Sequence, residues 1–216
     1  MNDATAMVDA NGTGDAGCDG ACVITFASGT DWTAYDVDPA SSPDAGAFDA
    51  GPRGEAQPVC LNASSPPGCP ANAVLYGFAA SAWTLDRSSI APAVWVWSPG
   101  VTGSAPADLE RAVFAKTFSL GSVPAGSISI AADDYAEVHV NGVFVGKIGS
   151  VSDQSAAGGA NSSLTTFNIS PFLAPGANTI TVVAQNGPAS FAGCPSACDY
   201  AHNPAGTVFG GQLSYH

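Results

Sequence analysis

Residues 130–149, IAADDYAEVHVNGVFVGKIG, carry the clearest structural pattern in the chain. In the middle of this stretch, apolar and polar residues alternate with the period of a β-strand. The alternation places two sets of side chains on opposite faces: Ala136, Val138 and Val140 on one, Glu137 and His139 on the other. The pair Asn141-Gly142 tolerates the positive φ angles of a two-residue turn, and Val143-Phe144-Val145 begins a return strand. The stretch therefore predicts a β-hairpin, preceded by two adjacent aspartates whose role depends on the rest of the chain.

The composition indicates an all-β protein with long loops. Of 216 residues, 11% are charged and 46% are hydrophobic, with 25 glycines and 16 prolines. Glycine and proline favour turns, and helix-rich soluble domains carry more charge on their exposed faces. A chain of this length can bury a sizeable core within one domain.

The charge balance excludes several classes of function. The net charge is −13. The chain has five basic residues: Arg53, Arg87, Arg111, Lys116 and Lys147. Because these are scattered, they form no basic patch for nucleic acid or an anionic membrane surface. No stretch reaches the roughly 18 apolar residues that a membrane-spanning helix needs. The acidity favours neutral ligands or divalent cations.

The six cysteines form three pairs that are close in sequence: Cys18 and Cys22, Cys60 and Cys69, Cys194 and Cys198. Their even number, within loops rich in glycine and proline, predicts three local disulfides and an oxidising, extracytoplasmic compartment. The alternative is zinc, but Cys-x3-Cys spacing with only three histidines fits common zinc sites poorly. The spacing alone does not select one connectivity.

Residues 1–21 are mostly small or acidic and have little to bury, so they predict a flexible acidic leader before a domain at 22–216. The composition of the leader is similar to the stalk of a bacterial surface lipoprotein. No signal peptide is visible at the start. We expect an extracellular or cell-surface location, with an export signal that this chain does not contain.

Short apolar segments separated by turn residues follow along the chain, which is typical of a β-sandwich or barrel. These predicted strands are 22–29, 73–78, 93–98, 112–120, 126–133, 137–149, 163–170, 178–186 and 206–215. Between the first two lies a long loop, 39–72, which a Cys60–Cys69 disulfide would constrain.

From about Trp83 onward the chain resembles the galactose-binding-like jelly-roll family, a β-sandwich common among carbohydrate-binding modules and accessory domains of glycoside hydrolases. The resemblance rests on ordered segments: AVWVWSPG (93–100), VFAKTFSL (113–120), SISIAADDYAEVHVNGVFVG (127–146), FNISPFLAPGANTITVVAQN (167–186) and NPAGTVFGGQLSY (203–215). It implies an antiparallel jelly roll. Two features depart from the family, the long 39–72 loop with Cys60 and Cys69 and the Cys194/Cys198 pair in a loop that is often plain, so we predict a single-domain antiparallel β-sandwich (jelly roll) with long disulfide-clipped loops. Members of this fold have many functions.

Three roles are open for Asp133 and Asp134. The leading hypothesis is that their carboxylates accept backbone N–H groups and lock the turn before the hairpin. The resemblance also implies a structural Ca²⁺, for which Asp133 and Asp134 are candidate ligands; no EF-hand spacing is present. Direct contact with a ligand is the third possibility.

Sugar binding requires an aromatic ring beside polar groups. Trp32 and Trp83 lie near polar loop residues and are predicted platforms, whereas at least one of Trp95 and Trp97 belongs to the core. The loop 186–206 lies between two predicted strands. It offers a short arc of candidate ligand-binding residues: Asp199, Tyr200, His202 and Asn203.

No catalytic motif is present, and the three glutamates have no distinctive context, so we expect no enzyme activity. We predict a non-catalytic, lectin-like carbohydrate-binding module of a secreted or surface-tethered protein, with a glycan or cell-surface polysaccharide as partner. The alternatives are a structural or adhesive subunit of a bacterial surface assembly, with possible self-association, and an accessory domain of a glycoside hydrolase.

Overall fold

The predicted hairpin forms the edge of a sheet. In the computed structural model, which describes residues 20–37, 54–62, 69–78, 82–104 and 107–216, strands cover 135–140 and 143–149. Asn141 and Gly142 join them with φ angles of 53° and 78°. Ala136, Val138 and Val140 are buried, so the period-2 pattern assigns the faces of this strand correctly. Of the predicted leader, 1–21, residues 1–19 lie outside the described part of the chain.

The described residues form thirteen strands. In chain order these are β1 (Cys22–Ala27), β2 (Thr33–Val37), β3 (Gly54–Glu55), β4 (Gln57–Cys60), β5 (Val74–Leu75), β6 (Val96–Trp97), β7 (Arg111–Leu120), β8 (Ala125–Asp133), β9 (Tyr135–Val140), β10 (Val143–Gly149), β11 (Thr165–Asn168), β12 (Gly176–Gln185) and β13 (Gly206–Tyr215).

The strands make a sandwich of two sheets, as predicted. A six-stranded sheet has the order β10-β9-β12-β7-β2-β3, and a seven-stranded sheet has the order β11-β8-β13-β6-β4-β5 with β1 also paired to β13. Within the described segments the pairings are antiparallel except for β4 and β5, which run parallel. The all-β prediction is therefore confirmed, with one parallel pair that the alternation of residues does not reveal.

One core lies between the two sheets. Its aromatic centre joins residues distant in sequence: the Trp32 and Phe209 rings meet edge-to-face at 4.7 Å, and Phe114 lies 6.0 Å from Phe209. Both Trp95 and Trp97 are buried, as predicted for at least one of them. Inward-facing residues of both sheets interdigitate here, which is the usual packing of a sandwich.

One short helix, α1 (Gln154–Ala160), was not predicted. Its sequence, QSAAGGA, lacks an apolar stripe and contains two glycines, so periodicity gives no signal. The helix begins because the Asp153 carboxylate accepts the N–H groups of Ser155 and Ala156, at 2.9 and 3.2 Å.

Two predicted disulfides are confirmed: Cys60–Cys69 and Cys194–Cys198. Cys22 is also disulfide-bonded, whereas Cys18 lies outside the described residues. These cysteines are therefore not zinc ligands, and disulfides are typical of an oxidising environment. Within the described ranges, no helix is long and apolar enough to cross a membrane.

Candidate functional site

Most of the predicted site residues lie at one end of the sandwich, which we call the loop end. The strand register defines it: Gln185 at the end of β12 pairs with Arg111 at the start of β7 and with Tyr135 at the start of β9. On the other sheet, Asp133 at the end of β8 pairs with Gly206 at the start of β13. The loop 186–206 therefore begins and ends here.

The adjacent aspartates bind two different segments at the loop end. Asp133 accepts hydrogen bonds from Trp83 Nε1 at 2.8 Å and from Asn161 Nδ2 at 3.1 Å. Asp134 Oδ2 accepts the N–H of Gly187 at 2.6 Å. Both carboxyl groups are buried. Asp134 thus accepts a backbone N–H, as the leading hypothesis from the sequence requires, whereas Asp133 accepts side-chain donors instead.

Burial also changes the acidity of this pair. It raises the pKa of Asp133. Burial and then the charge of Asp133 raise the pKa of Asp134 to about 7. A raised pKa means that the environment favours the neutral acid, because two carboxylates side by side in a desolvated place repel each other.

A second carboxyl pair lies at the same end, between β2 and β7. Burial, followed by the charge of Asp36, raises the pKa of Glu110 to about 7. The Tyr200 hydroxyl donates to Glu110 and accepts Trp97 Nε1 at 3.2 Å. Tyr200 therefore connects the loop 186–206 to both sheets.

Aromatic rings form a continuous stack beneath this loop. Trp83 stacks on Trp95 with centroids 4.3 Å apart, and Tyr76 stacks on Tyr200 at 4.8 Å. Tyr76 and Trp83 join the two pairs edge-to-face at 6.1 Å. All four rings are buried.

The predicted aromatic ligand contacts are thus not at the surface. Trp83 and Tyr200 belong to the buried stack, and Trp32 is a fully buried member of the central core whose Nε1 donates to Ala27 O at 2.9 Å. A sugar cannot reach these rings in this conformation, so the prediction of a platform at Trp32 or Trp83 does not match the structure. The physical reason is that each ring has a large apolar surface. Burying that surface stabilises the fold, even though the residues beside it in sequence are polar.

Asn203 is also buried, and it braces the loop. Its Nδ2 donates to Asp108 Oδ1 at 2.9 Å and to Gly187 O at 3.1 Å. The other oxygen of Asp108 accepts the Cys198 N–H at 2.8 Å, next to the Cys194–Cys198 disulfide. The loop is therefore held from below by a carboxylate, an amide and a disulfide.

Two of the predicted residues remain at the surface of the loop. The His202 side chain is 70% exposed and the Asp199 side chain 37%. Their side chains meet, with Nδ1 of His202 2.6 Å from Oδ1 of Asp199, and this hydrogen bond is the largest cause that lowers the pKa of Asp199. The braced loop thus presents an ionised carboxylate beside an imidazole.

The described acidic residues do not fit the calcium site that the resemblance implied. Among them there is no group of three or more His, Cys, Asp or Glu side chains able to hold a metal ion. The oxygens of Asp133 already accept side-chain donors, and Asp134 accepts a backbone N–H. A Ca²⁺ ion takes six to eight oxygen ligands, which this arrangement does not offer.

Sequence reasoning missed Asp36, Glu110 and Tyr76. Glutamates are rare in this chain, but no local pattern around Glu110 indicates a partner in β2. Only the pairing of the strands could have revealed this contact. In the β2–β7 ladder Asp36 pairs with Ala112, which follows Glu110 by two residues.

A further polar surface lies on the outer face of the hairpin, which we call the hairpin row: Tyr135, Glu137, His139 and Phe144. The Tyr135 hydroxyl donates to Glu137 Oε1, and His139 Nε2 lies 3.0 Å from Glu137 Oε2. The Phe144 ring, 50% exposed, meets His139 edge-to-face at 5.6 Å. Lys147 Nζ lies 6.0 Å from the centre of the Tyr135 ring.

No protein-family model matches the chain, and no curated protein sequence matches it. The resemblance to the galactose-binding-like family therefore stays a prediction. The fold and the loop end define a class of protein: an all-β sandwich domain in which a disulfide and buried carboxyl groups brace the loops at one end.

Several solved structures of glycoside hydrolases are similar to part of the chain. The α-L-rhamnosidase of Streptomyces avermitilis complexed with L-rhamnose shares 25% identity over 53% of this chain and 10% of its own, with a TM-score of 0.39. The β-glucuronidase of Ruminococcus gnavus in complex with uronic isofagomine shares 8% over 93% of this chain and 30% of its own, with a TM-score of 0.46. A β-glucuronidase of glycoside hydrolase family 2 shares 12% over 87% and 18%, with a TM-score of 0.43. The chain thus spans less than a third of the length of each enzyme, and likenesses this low carry no conclusion about its activity.

Proposed function

We propose that this domain is a non-catalytic carbohydrate-binding module of an extracytoplasmic protein. The observation that carries the proposal is the exposed Asp199–His202 pair on a loop that is braced from beneath. A carboxylate accepts hydrogen bonds and an imidazole donates or accepts them, so together they match the vicinal hydroxyl groups of a sugar.

Pre-organisation supports the same role. The loop is held by the Asn203–Asp108 contact, by Tyr200 and by the Cys194–Cys198 disulfide. A loop already fixed in its bound shape loses little conformational entropy on binding, so a few polar contacts suffice for measurable affinity.

The geometry of the buried acids supports a non-catalytic role. Glycosidases hold two carboxyl groups roughly 5–10 Å apart on either side of the scissile bond. Here the charge of Asp36 raises the pKa of the buried Glu110, and Asp133 and Asp134 are buried and bonded to the protein. Glu110 also accepts hydrogen bonds from the Tyr200 and Ser98 hydroxyls, so these acids serve contacts within the protein.

A glycan array followed by calorimetry tests the proposal. Asp199→Ala and His202→Ala should each weaken the binding of a glycan hit by about tenfold, the loss of roughly 1.4 kcal/mol of hydrogen bonding. The melting temperature should stay close to that of the wild type, since both side chains are at the surface. Glu55→Ala removes the same charge from an exposed strand position and serves as the control.

The molecular mass in solution separates this function from its main alternative. A monomer that binds glycans supports the proposal. Self-assembly without any glycan binding contradicts it and favours a structural or adhesive subunit.

A further inference from the structure

The exposed apolar side chains in the described residues include two neighbours at the start of β10, Val143 at 53% and Phe144 at 50%. Only Phe144 is part of a polar arrangement, because the register places it opposite His139 and the two rings are in contact. An exposed aromatic ring beside polar side chains is the usual platform for the apolar face of a sugar ring.

The polar members of the hairpin row are held in place before any ligand arrives. Glu137 receives one hydrogen bond on each carboxylate oxygen, from Tyr135 and from His139. The hydrogen bond from His139 is the largest cause that lowers the pKa of Glu137, so this carboxylate stays ionised. The side chains of Glu137 and His139 are 16% and 15% exposed, so a ligand meets only the outer part of each.

The charges of this surface favour a neutral ligand. Glu137 is the one acidic residue of β9 and β10, and Lys147 lies opposite it across the hairpin. Arg111, at the start of β7, acts electrostatically on both Glu137 and Tyr135. The row is therefore close to balanced, whereas the whole chain carries −13 and repels polyanions.

The length of the row favours a polymer. Tyr135, Glu137 and His139 occupy alternate positions of one strand, so they extend over about 13 Å at roughly 3.3 Å per residue. Phe144 lies beside His139 on the neighbouring strand β10, so it widens the row at its end near the turn. The row is longer than one pyranose ring, and its polar side chains follow one another along the strand. A chain of several sugar units therefore fits it better than a single sugar.

We propose that the hairpin row of Tyr135, Glu137, His139 and Phe144 is a binding site for an extended, neutral, hydroxyl-rich polysaccharide chain, separate from the loop 186–206. The inference rests on the proposed carbohydrate-binding function. Phe144 and the neighbouring His139 contact one sugar unit, and Glu137 and Tyr135 contact the units that follow along β9.

The test is affinity electrophoresis and calorimetry of the full chain against soluble neutral polymers (hydroxyethylcellulose, galactomannan and arabinogalactan), with polygalacturonate and the constituent monosaccharides as comparison ligands. Phe144→Ala should weaken binding to a neutral polymer by about tenfold or more, because the ring buries apolar surface only in the complex. Val143→Ala, at the adjacent and equally exposed position, is the matched control and should bind like the wild type. Monosaccharides should bind far more weakly than the polymer.

The outcomes separate the two proposals. If Phe144→Ala binds normally while Asp199→Ala and His202→Ala do not, the hairpin row is not a site and the loop function stands. Binding to polygalacturonate but to no neutral polymer would also contradict the proposed site at the hairpin row. If the wild type binds none of the polymers and has no array hit, the carbohydrate-binding function itself is wrong.

Discussion

Asp133 and Asp134 are adjacent in sequence but bind opposite parts of the loop end. Asp133 binds Trp83 and Asn161, while Asp134 binds the backbone of Gly187. One consequence is that the start of the hairpin, the aromatic stack and the loop 186–206 are connected through two carboxyl groups. A buried N–H that loses its acceptor costs more than the hydrogen bond contributed, because water cannot replace the acceptor.

Asp134→Ala should lower the free energy of unfolding by about 1–3 kcal/mol, the cost of leaving a buried N–H unpaired. Asp134→Asn should lose less, since its amide oxygen can still accept the N–H of Gly187 and the repulsion from Asp133 is removed. Urea denaturation at pH 7 measures both. An unchanged midpoint for Asp134→Ala would show that this contact does not hold the loop.

At the scale of elements, the edge strand β10 packs closely on β11. A Cβ placed on Gly146 would lie 2.5 Å from Phe167 Cε1, and the register of β9 and β10 shifts between Phe144 and Gly146. Glycine at this position therefore lets the two edge strands approach. In α1, by contrast, a Cβ on Gly158 would meet nothing within 4 Å.

The same substitution should thus have opposite effects in the two elements. Gly146→Ala should destabilise the protein by about 1–3 kcal/mol through overpacking against Phe167. Gly158→Ala should stabilise it by up to about 1 kcal/mol, because alanine favours the helix and restricts the unfolded chain. Thermal and urea denaturation of the pair check this, and a destabilised Gly158→Ala would mean that the helix is not packed as described.

At the scale of the whole molecule, the net charge of −13 is combined with two carboxyl pairs at one end. The pKa values of Glu110 and Asp134 are raised to about 7, so the folded state holds protons that the unfolded chain releases at lower pH. Stability from these groups is present below the unfolded pKa, near 4, and is lost as the pH rises through about 7. The pKa values of Glu137 and Asp199 are lowered instead. These groups stabilise the folded state above the unfolded pKa, and that stability is lost only as the pH falls below about 4.

The free energy of unfolding should therefore fall by on the order of 2 kcal/mol between pH 5 and pH 8. Glu110→Gln should flatten this dependence, because the side chain stays neutral and can still accept from Tyr200. Melting temperatures at pH 5, 6, 7 and 8 give the comparison. If the free energy of unfolding of the wild type rises up to pH 8, the pKa values of these carboxyl groups are not raised in the folded state.

The sequence alone determined the hairpin and most of the strands, but not β2, β3 and β4; the last two lie within the segment 39–72 that was predicted to be a loop. Alternation from Ala136 to Val140 and the turn at Asn141-Gly142 depend on backbone geometry within a few residues, so no distant contact is needed to predict them. The Cys60–Cys69 and Cys194–Cys198 disulfides were predictable for the same reason, since their partners are close in sequence.

Only the tertiary structure decided which polar and aromatic residues face solvent. Trp32, Trp83, Tyr200 and Asn203 occur in loop-like sequence, yet they are buried because they pack against parts of the chain that are distant in sequence. Glu110 acquires its raised pKa from burial and then from the charge of Asp36, both of which exist only in the folded protein, where β2 pairs with β7. Local patterns specify which way a strand residue points, whereas the environment of a loop residue is set by whatever the assembled sheets place against it.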